Sequence, residues 1–143
     1  MIPKFNKQGY LPPGKHKTTW SEFESYFAYN DPRQALMLGV KAAVDNLKRA
    51  GCQNIYINGS FVTAKSEPND WDACWEITGV DFDKLDSTIV DEEFNHRRRK
   101  AKYLGDLFLN APNLPGHNYV EFFQKSRDGI RKGIIVISLA TLK

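Results

Sequence analysis

An α+β domain, a small mixed sheet with helices mainly on one face, is predicted by three features of this sequence. Two tandem amphipathic helices come first, short strand-like segments follow from residue 54 onward, and no internal repeat or low-complexity tract marks a second unit. At 143 residues the chain can build one core without crosslinks or structural metal. The 41% hydrophobic content, with nine Phe, six Tyr and three Trp, excludes disorder over the whole length.

Residues 1–18 hold Pro3, Gly9, Pro12, Pro13 and Gly14 without periodicity, which predicts an N-terminal arm ahead of a single domain over residues 19–143. A first helix is expected near Thr19. There Thr19-x-x-Glu22 matches a capping box, and Trp20, Phe23, Tyr26 and Phe27 share a face. Asn30 and Asp31 separate it from the next helix, with Asp31 as the expected cap and Pro32 at the first helical position. That second helix carries Leu36, Val40, Ala43, Val44 and Leu47 at spacings of three and four and ends near Ala50, where Gly51 supplies the stop.

Strands are predicted over residues 54–58 and 71–77, separated by a loop that begins Gly59-Ser60 and contains Lys65 and Pro68. Residues 79–87 read as a loop. Residues 91–109 have helical spacing, with Phe94, Ala101, Leu104, Leu107 and Phe108 turned inward. A break at residues 112–116 precedes a third strand at 119–123 and a β-branched fourth strand at 134–139.

No apolar run approaches the roughly 20 residues of a membrane helix, and the N-terminus lacks the apolar stretch of a signal peptide, so a cytoplasmic protein without a membrane partner is expected. Cys52 and Cys74 have neither Cys-x-x-Cys nor Cys/His spacing, and read as buried or free thiols. The formal charge of +3 is compatible with a phosphate-bearing partner and decides nothing alone.

Chemistry concentrates between residues 57 and 73. Side chains at i and i+2 of a strand point to one face, so Asp70 and Asp72 can reach one divalent cation while Trp71 and Ala73 face the core. Gly59 permits a tight turn and close approach of a ligand. Ser60 and the backbone N–H groups after it can hold phosphate oxygens. Oxygen ligands beside a phosphate site suit magnesium, whose coordination shell is usually completed by water and substrate phosphates. Lys65, Arg127, Arg131 and Lys132 are available to neutralise a triphosphate, Lys65 first by position.

Gly59-Ser60, a loop, then Asp70-x-Asp72 resembles the glycine-serine and paired-aspartate signature of DNA-polymerase-β-like nucleotidyltransferases. Across almost the whole chain, Phe5-Asn6-x-x-Gly9-Tyr10-Leu11-Pro12-Pro13-Gly14-x-His16, Trp20-x-x-Phe23, Gly59-Ser60-Phe61-Val62-Thr63-x-Lys65-x-x-Pro68 and Arg127-x-Gly129-x-x-Lys132-Gly133-Ile134 also resemble a small bacterial and phage family assigned to that superfamily. The resemblance implies a minimal nucleotidyltransferase fold and two Mg or Mn ions on Asp70, Asp72 and a third carboxylate from a later strand. Glu121, acidic between apolar neighbours, is the candidate, ahead of Asp81 and Asp83 in an apparent loop. Glutamate stands where that superfamily usually has aspartate and is longer by one methylene, which moves a ligand outward.

Two functions follow as expectations. One is Mg-dependent transfer of a nucleoside monophosphate from a nucleoside triphosphate to a hydroxyl on RNA, protein or a small molecule. The other is an inactive scaffold that binds a protein partner from a neighbouring gene, antitoxin-like or phage-defence-associated. The charge run His96-Arg97-Arg98-Arg99-Lys100 reads first as a solvated helix face and second as an RNA contact. His16 and His117 are isolated and carry no assigned role.

Overall fold

Side-chain caps start both N-terminal helices. The Thr19 hydroxyl accepts the N–H of Glu22 at the head of α1 (Trp20–Phe27), and Asn30 Oδ1 accepts the N–H of Arg33 at the head of α2 (Asp31–Arg49). Asn30, rather than Asp31, is therefore the second cap. Gly51, at φ +98°, ends α2 in a Schellman arrangement, its N–H bonding to the Lys48 carbonyl and that of Cys52 to the Leu47 carbonyl.

The computed structural model describes residues 2–126 and 128–142. Its remaining elements are β1 (Lys15–Thr18), β2 (Asn54–Asn58), β3 (Trp71–Glu76), α3 (Arg97–Tyr103), β4 (Gly105–Asn110), α4 (Tyr119–Phe122) and β5 (Ile134–Ser138), joined by loops and short 3-10 turns. The five strands form a mixed sheet in the order β1-β5-β2-β3-β4. The outer pairs, β1 with β5 and β3 with β4, are parallel, while β2 runs antiparallel to both β5 and β3.

One face of the sheet carries the main core, where Phe23, Phe27, Val40, Val44 and Leu47 of the helices meet Ile57, Trp71, Ala73, Leu107 and Ile135. The opposite face holds a smaller cluster, Cys74, Val120 and Ile134 with Phe108, Tyr119 and Phe123 around it. Cys52 and Cys74 are both buried free thiols.

Three expectations are corrected. Lys15–Thr18 belongs to the sheet rather than to an arm; its alternating polar side chains give no apolar signal, and its pairing with the apolar β5 makes it a strand. The helix expected over residues 91–109 is a 3-10 turn, then α3, then β4: Leu104 adopts φ 61° and ends the helix, and Gly105 starts the strand against the Trp71 ring. Phe94, expected inside, is 63% exposed. The strand expected at 119–123 is the short helix α4, fastened by the Val120 N–H to the Asn110 side chain.

Helix α2 crosses the end of α3 at Gly39, where an added Cβ would lie 1.8 Å from the Tyr103 carbonyl oxygen. That same carbonyl accepts the Trp71 indole N–H at 2.8 Å. Gly39→Ala is therefore expected to destabilise the fold by about 2–3 kcal/mol through overpacking, although alanine is the better helix former. Chemical denaturation checks this; an unchanged midpoint would contradict the close approach.

Candidate functional site

The register of the central strands brings the polar groups together. Asn58, Asp72 and Asp106 are paired across β2, β3 and β4, so their side chains emerge on the same face, with neighbouring strands about 4.8 Å apart. Asp70 lies just before β3 and is exposed. Gly59 follows Asn58 at the end of β2, at φ +79°, and leads into a 3-10 turn over Ser60–Val62. A Cβ on Gly59 would stand 2.8 Å from Asp72 Oδ2, so only glycine lets the bend pass this close to the carboxylate.

Burial, reinforced by the charges of Asp70 and then Asp106, pushes the Asp72 carboxyl up to about 6. Lys100 and Lys132 oppose that shift. Burial in turn pulls the Lys132 ammonium below its usual range, against the attraction of Asp72. Asn58 is 1% exposed, and its Oδ1 has no hydrogen-bond partner among the described residues. A buried carbonyl oxygen left without a donor beside a carboxylate whose charge is disfavoured by burial is costly, and a cation would relieve both. A hard divalent ion here would take a carboxylate from Asp72 and an amide oxygen from Asn58, both on the cleft lining, with Asp70, whose charge reaches Asp72 from just outside that lining, as the second carboxylate.

Asp106 is differently placed. Its Oδ1 accepts from Arg99 Nη1 at 2.9 Å and from the Leu107 N–H at 2.9 Å, His96 Nδ1 lies 3.0 Å from both of its oxygens, and Lys100 Nζ is 3.9 Å from Oδ2. Arg99 is itself buried, and also donates to the carbonyls of Thr88, Asp91 and Leu107. The charge run is thus divided: Arg99 and His96 turn onto Asp106, while Arg97, Arg98 and Lys100 stay exposed. Glu121, expected on a strand, is exposed on α4, because the segment is a single helical turn rather than part of the sheet. Asp106, not Glu121, is the acid in register with Asp72.

Above these groups opens a cleft of about 1250 Å³, whose lining includes Asn58, Gly59, Ser60, Asp72, Glu121 and Phe122. Lys65, Lys125, Arg131 and Lys132 line it as well. The last three cluster because Lys125 bridges to Arg131 and the Lys132 N–H bonds to the Gln124 carbonyl. A smaller adjoining hollow of about 500 Å³ shares Ser60, Lys65 and Lys132 and is closed by Gln8, Gly9 and Tyr10 from the N-terminal segment. Asp81 instead caps a 3-10 turn through the N–H of Asp83. Arg127 lies outside the described residues.

The loop after Gly59 is held from beneath by Arg33, which is fully buried. Its guanidinium donates to the carbonyls of Phe27, Phe61, Thr63 and Lys65 at 2.6–3.2 Å, and Asn30 Nδ2 adds a bond to the Ser66 carbonyl at 2.7 Å. Sequence patterning gave no sign of this clamp, since an arginine in the first turn of a helix usually faces water. Asp106 had a visible signal: Gly105-Asp106-Leu107-Phe108 repeats the pattern of an acid followed by apolar residues seen in Trp71-Asp72-Ala73-Cys74.

An open mixed sheet with helices on its main face and a cation-lined acidic cleft on the other defines the class of architecture. The chain belongs to the family described as "Family of unknown function (DUF6932)", whose model matches residues 3–138. No curated protein and no solved structure matches it. No helix among the described residues is long and apolar enough to cross a membrane.

Proposed function

We propose that the cleft binds a nucleoside triphosphate with a divalent cation and transfers its nucleoside monophosphate to an acceptor hydroxyl, with pyrophosphate leaving. The observation that carries this reading is the approach of the Gly59 bend to Asp72, on a sheet face where Asn58 and Asp106 stand in register with that aspartate. Carboxylates, an unsatisfied amide oxygen and four cationic side chains sharing one cleft match the needs of a metal-bound polyphosphate.

Asp70, Asp72 and Asn58 would hold Mg or Mn, and the chemistry such an ion supplies is neutralisation of phosphate charge and activation of the attacking oxygen. Ser60 and the N–H groups of the bend orient phosphate oxygens. Lys65 and Lys132 balance the charge that develops on the leaving pyrophosphate. Glu121 lines the same cleft. A cytoplasmic setting and an RNA or protein acceptor belong to the same proposal.

Incubation with each labelled nucleoside triphosphate and Mg or Mn tests it. Wild type is expected to label an acceptor or itself, and Asp72→Ala to lose at least a hundredfold in rate. Equal labelling in both would reject the reading.

One observation favours a second reading, an inactive scaffold that binds nucleotide and a protein partner. Asp106, where a third metal-binding carboxylate would be sought, is already engaged by Arg99 and His96. Nucleotide binding that depends on Asp72, with no turnover of any triphosphate, would select this alternative.

A further inference from the structure

The cleft has an aromatic wall that the phosphate chemistry leaves unused. Phe122 is 71% exposed, and among the exposed large apolar side chains of the described residues it alone lines the cleft. Its position is nevertheless firmly supported. The ring meets Phe123 edge-on at 5.2 Å, Phe123 stacks on Tyr119 at 5.9 Å, and both pack on Phe108 of β4 at 5.0–5.4 Å. Val120, on the same turn, anchors α4 in the smaller core beside Cys74 and Ile134. A rigidly backed aromatic face left in water, in a cleft that also holds Lys65, Arg131 and Lys132, is what a ligand with a planar ring and a polyanionic tail requires.

We infer that Phe122 is the stacking platform for the base of the nucleotide whose phosphates lie toward Lys65 and Lys132. This rests on the nucleotide reading of the cleft and adds to it the place and mode of base binding. Glu121, next to Phe122 in the chain, and Lys125 also line the cleft and offer an acceptor and a donor to the base edge. Stacking is tolerant of base identity but grows with ring size, so purine triphosphates bind more tightly than pyrimidine ones.

The test compares equilibrium binding of the four nucleoside triphosphates with that of inorganic tripolyphosphate, all with Mg, to wild type, Phe122→Ala and Phe122→Trp. Because Phe122 is exposed, neither substitution disturbs the core, and unchanged thermal midpoints verify this. Purine triphosphates are expected to bind wild type more tightly than tripolyphosphate does. Phe122→Ala should weaken them about tenfold while leaving tripolyphosphate unchanged, and Phe122→Trp should retain them. Unchanged triphosphate affinity in Phe122→Ala, or equal weakening of triphosphates and tripolyphosphate, would overturn the platform and leave the phosphate site standing. Failure of wild type to bind any of these probes would overturn the platform together with the nucleotide reading.

Discussion

Arg33→Met is expected to lower the stability of the fold by about 3–5 kcal/mol and to loosen the segment that follows Gly59. The native guanidinium makes five hydrogen bonds to four backbone carbonyls, and the Tyr29 and Phe61 rings lie 4.9 and 5.2 Å from its central carbon. Methionine fills much of the same volume, so the loss reports the carbonyls left without a donor rather than a cavity. Lysine should not restore stability, because its three donors on one nitrogen cannot span the carbonyls of Phe27, Phe61, Thr63 and Lys65. Urea denaturation reads the stability, and hydrogen exchange at residues 59–66 reads the loop. A midpoint within experimental error of wild type would contradict the clamp.

Asp72→Asn should act in the opposite direction on stability. The carboxyl titrates near 3.8 when unperturbed and near 6 in the fold. Between those pH values the folded state keeps a proton that the unfolded chain has released. The stabilising contribution is therefore complete below about pH 4, declines as pH rises to about 6, and is lost above that. A shift of that size corresponds to roughly 3 kcal/mol, so the asparagine variant is expected to exceed wild type by roughly 2–3 kcal/mol at pH 8 and to match it at pH 3.5. Added Mg should narrow the gap at pH 8 by stabilising wild type alone. Thermal midpoints across pH, with and without Mg, give the comparison. A gap that does not depend on pH would contradict the account of Asp72.

The parts of the fold written in local pattern were readable from the chain. Helix α2 combines a polar cap, an apolar stripe and Gly51 as a stop, and the strands β2 and β3 are short β-rich segments on either side of a turn. The misread parts depend on distant partners. Residues Ala101, Leu104, Leu107 and Phe108 keep helical spacing, yet Leu104 and Gly105 divide them between α3 and β4 because the Trp71 ring and the parallel pairing with β3 claim the second half. Lys15–Thr18 has no apolar signature, and only β5 makes it a strand. Tyr119–Phe122 has aromatic and β-branched content suited to a strand, but Asn118 and Asn110 fix it as a turn of helix.

The site divides along the same line. Gly59, Ser60, Asp70 and Asp72 lie within one short stretch, so their spacing singled them out as candidates; Gly59, Ser60, Lys65, Asp72, Arg131 and Lys132 line the cleft, and Asp70 lies outside its lining. Asn58 and Asp106 become site neighbours through cross-strand register, which local spacing does not encode. Arg33 was hidden for a different reason: its role is to satisfy carbonyls contributed by a loop some 30 residues later.

The proposed site would hold a divalent cation on Asp72, with Asp70 and Asn58, at the foot of the cleft. Crystals soaked with Mn and a non-hydrolysable triphosphate measure this directly through the anomalous signal of the metal. A Mn peak bonded to Asp72 is expected in wild type, with phosphate density toward Ser60 and Lys132, and no such peak in Asp72→Asn. Manganese bound elsewhere, or an Asn58 amide that gains no ligand while the triphosphate lies outside the cleft, would contradict it.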